Sequence, residues 1–152
     1  MKISIDHTPG SKEIEVIIRG QADSEGVLAL VALLSEANPE KTLKSVIGRQ
    51  DEREFVLLAE DIEQFYSESG STVAVSGGQT YRVRMTLSKL ELRMGAHGFR
   101  RISKSTVLNC RTIQYLELEF SGNYIIVTKS GSKLLLSRNY VPSVKKFIKE
   151  EI

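Results

Sequence analysis

From residue 71 to residue 137 the chain is cut into short, alternating, β-branched runs by glycine-containing turns. Runs this brief bury a face only by pairing with their neighbours in antiparallel sheets. Val73 to Ser76 and Gln79 to Met85 flank Gly77-Gly78, and two glycines accept the positive φ values that a two-residue hairpin demands. Leu116, Leu118 and Phe120 alternate with Glu117 and Glu119, the period of a strand with one buried face. Ser121-Gly122-Asn123 turns that strand into Tyr124 to Lys129, and Ser130-Gly131-Ser132 turns the next into Lys133 to Ser137. Two helices interrupt the pattern. Thr86 caps one that presents Leu87, Leu90 and Met94 and stops at Gly95. The other begins near Tyr140, tolerates Pro142 in its first turn, and turns Val141, Val144 and Ile148 inward.

The first third has a different texture. After a turn at His7-Thr8-Pro9-Gly10, Glu13 to Ile18 reads as a strand. Asp23 and Ser24 can cap a helix running to Ala37, with Val27, Leu30, Val31 and Leu34 on one stripe. Asn38-Pro39 ends it, and Leu43 to Ile47 is a second strand, a strand–helix–strand order that suggests partly parallel pairing. The charged run Arg49 to Glu54 reads as a loop and boundary. The expectation is an α+β chain: a small N-terminal α/β unit over residues 1–50, then a mostly-β domain of short antiparallel strands with small helices over residues 56–152. Charge divides in the same way. Residues 1–55 carry seven Lys/Arg against ten Asp/Glu, net −3, and residues 56–152 carry 14 against 9, net +5. A polyanion is therefore expected on the second part, and the acidic first part is expected to serve self-association or regulation.

Catalysis lacks an inventory. His7 and His97 are the only histidines, and neither has an acidic partner at motif spacing. Cys110 sits among Leu108, Asn109 and Ile113, the surroundings of an inert thiol. One cysteine and two dispersed histidines match no metal-site spacing, and no glycine-rich phosphate loop is present, so no cofactor is expected. Ser103-Lys104-Ser105 contains a serine beside a lysine, but adjacent strand residues point apart. The chain does not read as an enzyme. The apolar stretch Val27 to Leu34 is too short to span a bilayer, no signal region follows Met1, and a single cysteine suits a reducing compartment. The expected location is the cytoplasm.

Three segments carry a resemblance. Glu60-Asp61-Ile62 through Phe65-Tyr66-Ser67-Glu68 forms the first, and Phe99-Arg100-Arg101-Ile102-Ser103-Lys104-Ser105-Thr106-Val107-Leu108-Asn109 through Ile113 the second. The third is Leu136-Ser137-Arg138-Asn139-Tyr140. In order and spacing over residues 57–152 they resemble the LytTR family of DNA-binding domains, whose signature runs F-x-R-I, a polar step, S, two apolar residues, N and I, with S-R-x-Y before the last helix. The resemblance implies a bacterial transcription regulator that reads double-stranded DNA with loops and strand ends. It implies a homodimer on paired half-sites and, for a free-standing member of this size, a small inhibitory membrane protein as partner. Many members are response regulators with a receiver domain; residues 1–50 are too short for one.

The candidate contacts follow from that alignment. Lys104, with Arg101 and Ser103 beside it, occupies the polar step and matches the position that touches a base edge. A lysine there can donate to guanine O6 and N7 or to a phosphate, or can be a solvated turn residue. Arg138 and Asn139 stand where the last helix begins; Arg138 has Glu150 or Glu151 as alternative partners, and Asn139 can be a plain N-cap. Ser69 to Thr72, with Ser71, matches a third contact loop but lacks its usual long basic side chain. Lys129, Lys133, Arg100 and Arg111 are backbone-contact candidates. Asn109 reads as structural, and Tyr81, Tyr115 and Tyr124 as packing residues. A rival reading makes the β-rich domain a protein-interaction adaptor that no longer reads DNA, favoured by the plain Ser69–Thr72 loop. An RNA-binding barrel ranks lower, since no aromatic strand pair is present.

Overall fold

The computed structural model describes Gly26, Val27, Ala29, Leu30 and residues 42–152. The strand expected over residues 13–18, the turn before it and the Asn38-Pro39 stop lie outside these. Gly26, Val27, Ala29 and Leu30 are helical, as their stripe predicts, and Val27 and Leu30 are half-buried.

Among the described residues, ten strands form two antiparallel sheets. The larger holds β1 (Ser45–Gln50), β2 (Arg53–Leu58), β3 (Ile62–Glu68), β4 (Ser71–Ser76), β5 (Gln79–Val83), β6 (Phe99–Ser103) and β7 (Thr106–Asn109), in the order β2-β1-β5-β4-β3-β7-β6. The smaller holds β8 (Ile113–Leu118), β9 (Tyr124–Thr128) and β10 (Lys133–Leu136), in the order β10-β9-β8. Helix α1 (Leu87–Met94) follows β5 and helix α2 (Val141–Glu151) closes the chain. The Gly77-Gly78 hairpin forms as its residues predict: both glycines have positive φ, and Ser76 pairs with Gln79. The Thr86 hydroxyl accepts from the Lys89 amide and caps α1.

Two of the local expectations change. The charged run Arg49 to Glu54 is not an open linker. Strands β1 and β2 pair antiparallel through it, from Ser45 opposite Leu58 to Gln50 opposite Arg53, and Arg49 reaches Glu54 at 3.0 Å. Cross-strand opposite charges are compatible with a ladder, and only Asp51-Glu52 turns. The strand of residues 43–47 thus enters the large sheet through antiparallel partners, β2 and β5. The second change is the apolar face of β8. Strand β8 ends at Leu118 opposite Tyr124; Leu116 is half-buried, but Leu118 is exposed and Phe120, in the turn beyond, is fully exposed.

The core has two clusters. Phe65, Phe99, Ile62, Val107, Leu90 and Met94 lie beneath the large sheet and α1, with the rings of Phe65 and Phe99 5.3 Å apart. Ile102, Leu108, Cys110, Ile126, Leu136, Val144 and Phe147 fill the space between the β6–β7 hairpin, the small sheet and α2. Val144 faces inward as its spacing predicts, Val141 and Ile148 pack half-buried, and Phe147 joins them in the core. Asn109 is structural. Its buried amide donates to the Ile62 carbonyl at 3.1 Å, and its Oδ1 accepts from the Arg111 amide.

Two outcomes test this packing. A Cβ on Gly48 would lie 2.6 Å from Leu57 Cδ1 and 2.7 Å from Tyr81 Cβ, so Gly48→Ala should cost about 1–3 kcal/mol by overpacking, read as a lowered melting midpoint. Burial pushes the Cys110 thiol up to about 12 against a weaker opposing pull from Arg100. Since the thiolate is the nucleophile, alkylation of native protein at pH 8 should be far slower than that of denatured protein. Because the folded-state value is raised, its contribution to stability holds below the ordinary thiol value and is lost as pH climbs towards 12.

Candidate nucleic-acid interface

Three of the segments singled out in the sequence converge on one end of the molecule. Ser103 pairs with Thr106, so Lys104-Ser105 is the tip of the β6–β7 hairpin. Glu68 pairs with Ser71, which makes Ser69-Gly70 the tip of the β3–β4 hairpin; both tip residues have positive φ, 49° and 77°. The Ser67 amide donates to the Ser105 carbonyl at 2.9 Å and holds these two tips side by side. The Ser137 amide donates to the Ile102 carbonyl at 2.9 Å, which brings Arg138 and Asn139 to the same edge. Lys104, Arg138 and Asn139 are exposed there; Ser103 and Ser71 are partly covered.

The Lys104 tip is braced from beneath. The Ser103 hydroxyl accepts from the Ser105 amide at 3.2 Å. Arg101 spends its guanidinium inside the protein: Nη1 donates to the Lys104 carbonyl at 2.9 Å, Nε to Glu91 at 3.3 Å and Nη2 to the Ser88 hydroxyl at 3.1 Å. Its side chain is only 14% exposed. Arg101 therefore ties the tip to α1, while the Lys104 ammonium has no partner among the described residues. Sequence reasoning missed Glu91 and Ser88, because only the fold sets α1 beneath the hairpin.

Arg138 does not pair with Glu150 or Glu151. Its Nη2 donates to the Ser121 carbonyl at 3.5 Å, which adds the β8–β9 turn to this edge. Asn139 is not the N-cap of α2, a position that Tyr140 occupies; it stands in a short 3-10 turn over Arg138–Tyr140.

The other basic candidates lie elsewhere. Lys129 and Lys133 flank the turn at the opposite end of β9 and β10 from Tyr124 and Leu136. Lys129 Nζ donates to the Arg111 carbonyl at 3.0 Å. It lines a cleft of about 560 Å³ with Glu60, Asp61, Glu63, His97 and Arg111, where carboxylates offset the cations. Arg100 and Arg111 both lie over the Phe147 ring, 4.9 and 5.8 Å from its centroid, and bond backbone carbonyls. Of the tyrosines, Tyr81 packs on Phe55 at 5.2 Å, and Tyr124 accepts from Lys145 Nζ at 2.7 Å. Tyr115 is half-exposed.

What the edge offers among the described residues is a row of turns with one free lysine, one arginine, and several hydroxyl and amide groups; Glu68 flanks the Ser69-Gly70 tip, and the Glu119 carboxylate is bonded to the Ser121 hydroxyl within the β8–β9 turn. Helices α1 and α2 are separated by five strands, so the described residues hold no pair of helices joined by a turn.

Comparisons with known proteins agree with this fold. The family model of the LytTr DNA-binding domain matches residues 52–149. The chain is 24% identical over 145 residues to an uncharacterized HTH-type transcriptional regulator of Staphylococcus aureus (strain COL), covering 95% of this chain and 96% of the relative. A counterpart in strain MRSA252 is 23% identical over the same length. Among solved structures, the LytTr DNA-binding domain of a putative methyl-accepting/DNA response regulator from Bacillus cereus superposes with a TM-score of 0.65. That match has 13% identity and covers 70% of this chain and 97% of that one. With the signature residues, the fold and the family match in agreement, the chain belongs to the LytTR family of DNA-binding domains.

Proposed function

We propose that this chain is a sequence-specific transcription regulator that binds double-stranded DNA through the edge carrying Lys104, Arg138, Asn139 and Ser71. One observation carries the reading: three turns distant in sequence are tied together by the Ser67–Ser105 and Ser137–Ile102 hydrogen bonds. In this reading Lys104 reads a base edge or grips a phosphate, Arg138 holds a phosphate beside it, and Ser71, Ser103 and Asn139 add hydrogen bonds. Arg101 contributes by positioning the Lys104 tip. Lys129 and Lys133 act at most at the flank, on phosphates. No catalytic step or cofactor enters, and the chain works in the cytoplasm, where the DNA is.

The chain acts as a homodimer on paired half-sites, with the acidic N-terminal unit mediating self-association, and a small membrane protein is its inhibitory partner. A second reading, an adaptor that no longer reads DNA, draws support from the Ser69-Gly70-Ser71 tip, which carries no basic side chain and follows Glu68.

The two readings differ in a titration against DNA selected from a random pool and against scrambled DNA. The full chain should prefer the selected site, and affinity should fall steeply with salt as Lys and Arg release counterions. Lys104→Ala should cost about 1–3 kcal/mol on the selected site if it reads a base. If it holds a phosphate, it should weaken both DNAs together and lower the salt slope by about one. Arg138→Ala should behave in the second way. Neither change should move the melting midpoint, and wild-type affinity in both variants would reject this edge. The adaptor reading predicts no preference at all.

Removing residues 1–41, which keeps β1 in its sheet, should leave DNA binding weakened and the oligomer smaller in analytical ultracentrifugation. An unchanged mass would move the dimer surface elsewhere.

A further inference from the structure

The most exposed large apolar side chain among the described residues stands on the same edge as Arg138. Phe120 has a relative exposure of 114%, at the turn between β8 and β9. That turn is tightly built. The Glu119 amide donates to the Asn123 carbonyl and the Gly122 amide to the Glu119 carbonyl, each at 2.9 Å, with Gly122 at φ 80°. The Ser121 hydroxyl donates to the Glu119 carboxylate at 3.3 Å, drawing that charge back into the turn, and accepts from the Asn123 amide. The arrangement fixes the backbone on either side of Phe120 and leaves its ring in solvent. A phenylalanine held out by a rigid turn, with the Arg138 guanidinium on the next residue's carbonyl, is positioned for a surface that arrives with the arginine's partner.

We propose that Phe120 is a specificity-determining residue of the DNA interface, packing against a thymine methyl beside the Arg138 contact. This rests on the proposed DNA reading of the same edge. The chemistry narrows the choice. A phenyl ring neither donates a hydrogen bond nor pairs with a phosphate, so it gains only from apolar contact. In the major groove the one apolar group that base edges present is the C5-methyl of thymine. Burying an otherwise solvated ring there supplies affinity, and a cytosine or a purine at that position forfeits it. Phe120 and Arg138 then form a composite reader, an arginine for a phosphate and a ring for the adjacent methyl.

The experiment is a thermodynamic cycle on the full chain. Its probes are the DNA site selected by the wild-type protein and versions in which each thymine in turn is replaced by uracil, which removes only the methyl. Phe120→Ala should lower affinity for the selected site about tenfold, with an unchanged melting midpoint. One uracil substitution should weaken the wild type by a similar factor and leave Phe120→Ala indifferent, while Phe120→Leu keeps part of the preference. Wild-type affinity in Phe120→Ala would overturn the inference and leave the DNA reading standing. A loss not coupled to any thymine would overturn the methyl contact. Failure of the wild type to select any site would remove the DNA reading itself, and the inference with it.

Discussion

The β6–β7 hairpin is buried on both faces, and the rest of the molecule is arranged around that constraint. Val107 and Leu108 are neighbours on one strand and both are 0% exposed. Since successive strand residues point to opposite sides, one enters the cluster under α1 and the other enters the cluster under α2. Phe99 and Ile102, an odd number of positions apart, repeat the division on β6. A two-sided strand of this kind cannot slip by one residue without exchanging its two sets of apolar contacts. Its tip, which carries Lys104, is therefore fixed by two cores at once.

The same hairpin joins the sheets. It gives Leu108 to Gln64 of β3 on one side and accepts Ser137 at Ile102 on the other. Asn109 at its far end clamps Ile62 and starts the turn into β8. Rigid elements that carry exposed tips are how loops acquire definite geometry. The edge proposed for DNA has that construction: turns on the outside, with backbone bonds and the Arg101 guanidinium behind them.

Basic residues consequently divide by environment and not by number. Arg100, Arg101 and Arg111 are spent on Phe147, on backbone carbonyls and on Glu91. Guanidinium groups suit such work, since a planar fork of donors stacks on rings and satisfies carbonyls together. Lys104 keeps its ammonium in water. Lys129 and Lys133 lie at the other end of β9 and β10, and Lys129 lines a cleft with Glu60, Asp61 and Glu63. The +5 charge of residues 56–152 is thus a poor guide to which cations face DNA.

The sequence by itself determined the strand-and-turn texture, the Gly77-Gly78 hairpin, the Thr86 cap, the inward face of the last helix, the inert Cys110 and, through three motifs in register, the family. All of these depend on neighbours within a few residues or on a spacing that survives divergence. Tertiary structure decided the rest. Local charge made Arg49 to Glu54 look like a loop, yet β1 and β2 pair through it, and Arg49 opposite Arg82 draws that hairpin into the large sheet. Alternation made Leu118 and Phe120 look half-buried, but burial requires an element packed over the strand's face, and edge-on pairing with β9 does not supply one. Arg101 and Lys104 are three apart in the chain and both cationic; only the position of α1, with Glu91 and Ser88, occupies the first and leaves the second free. Periodicity records which side of a strand is apolar, whereas the partner that a charged side chain meets is a contact between distant segments, and that is set when the sheets close.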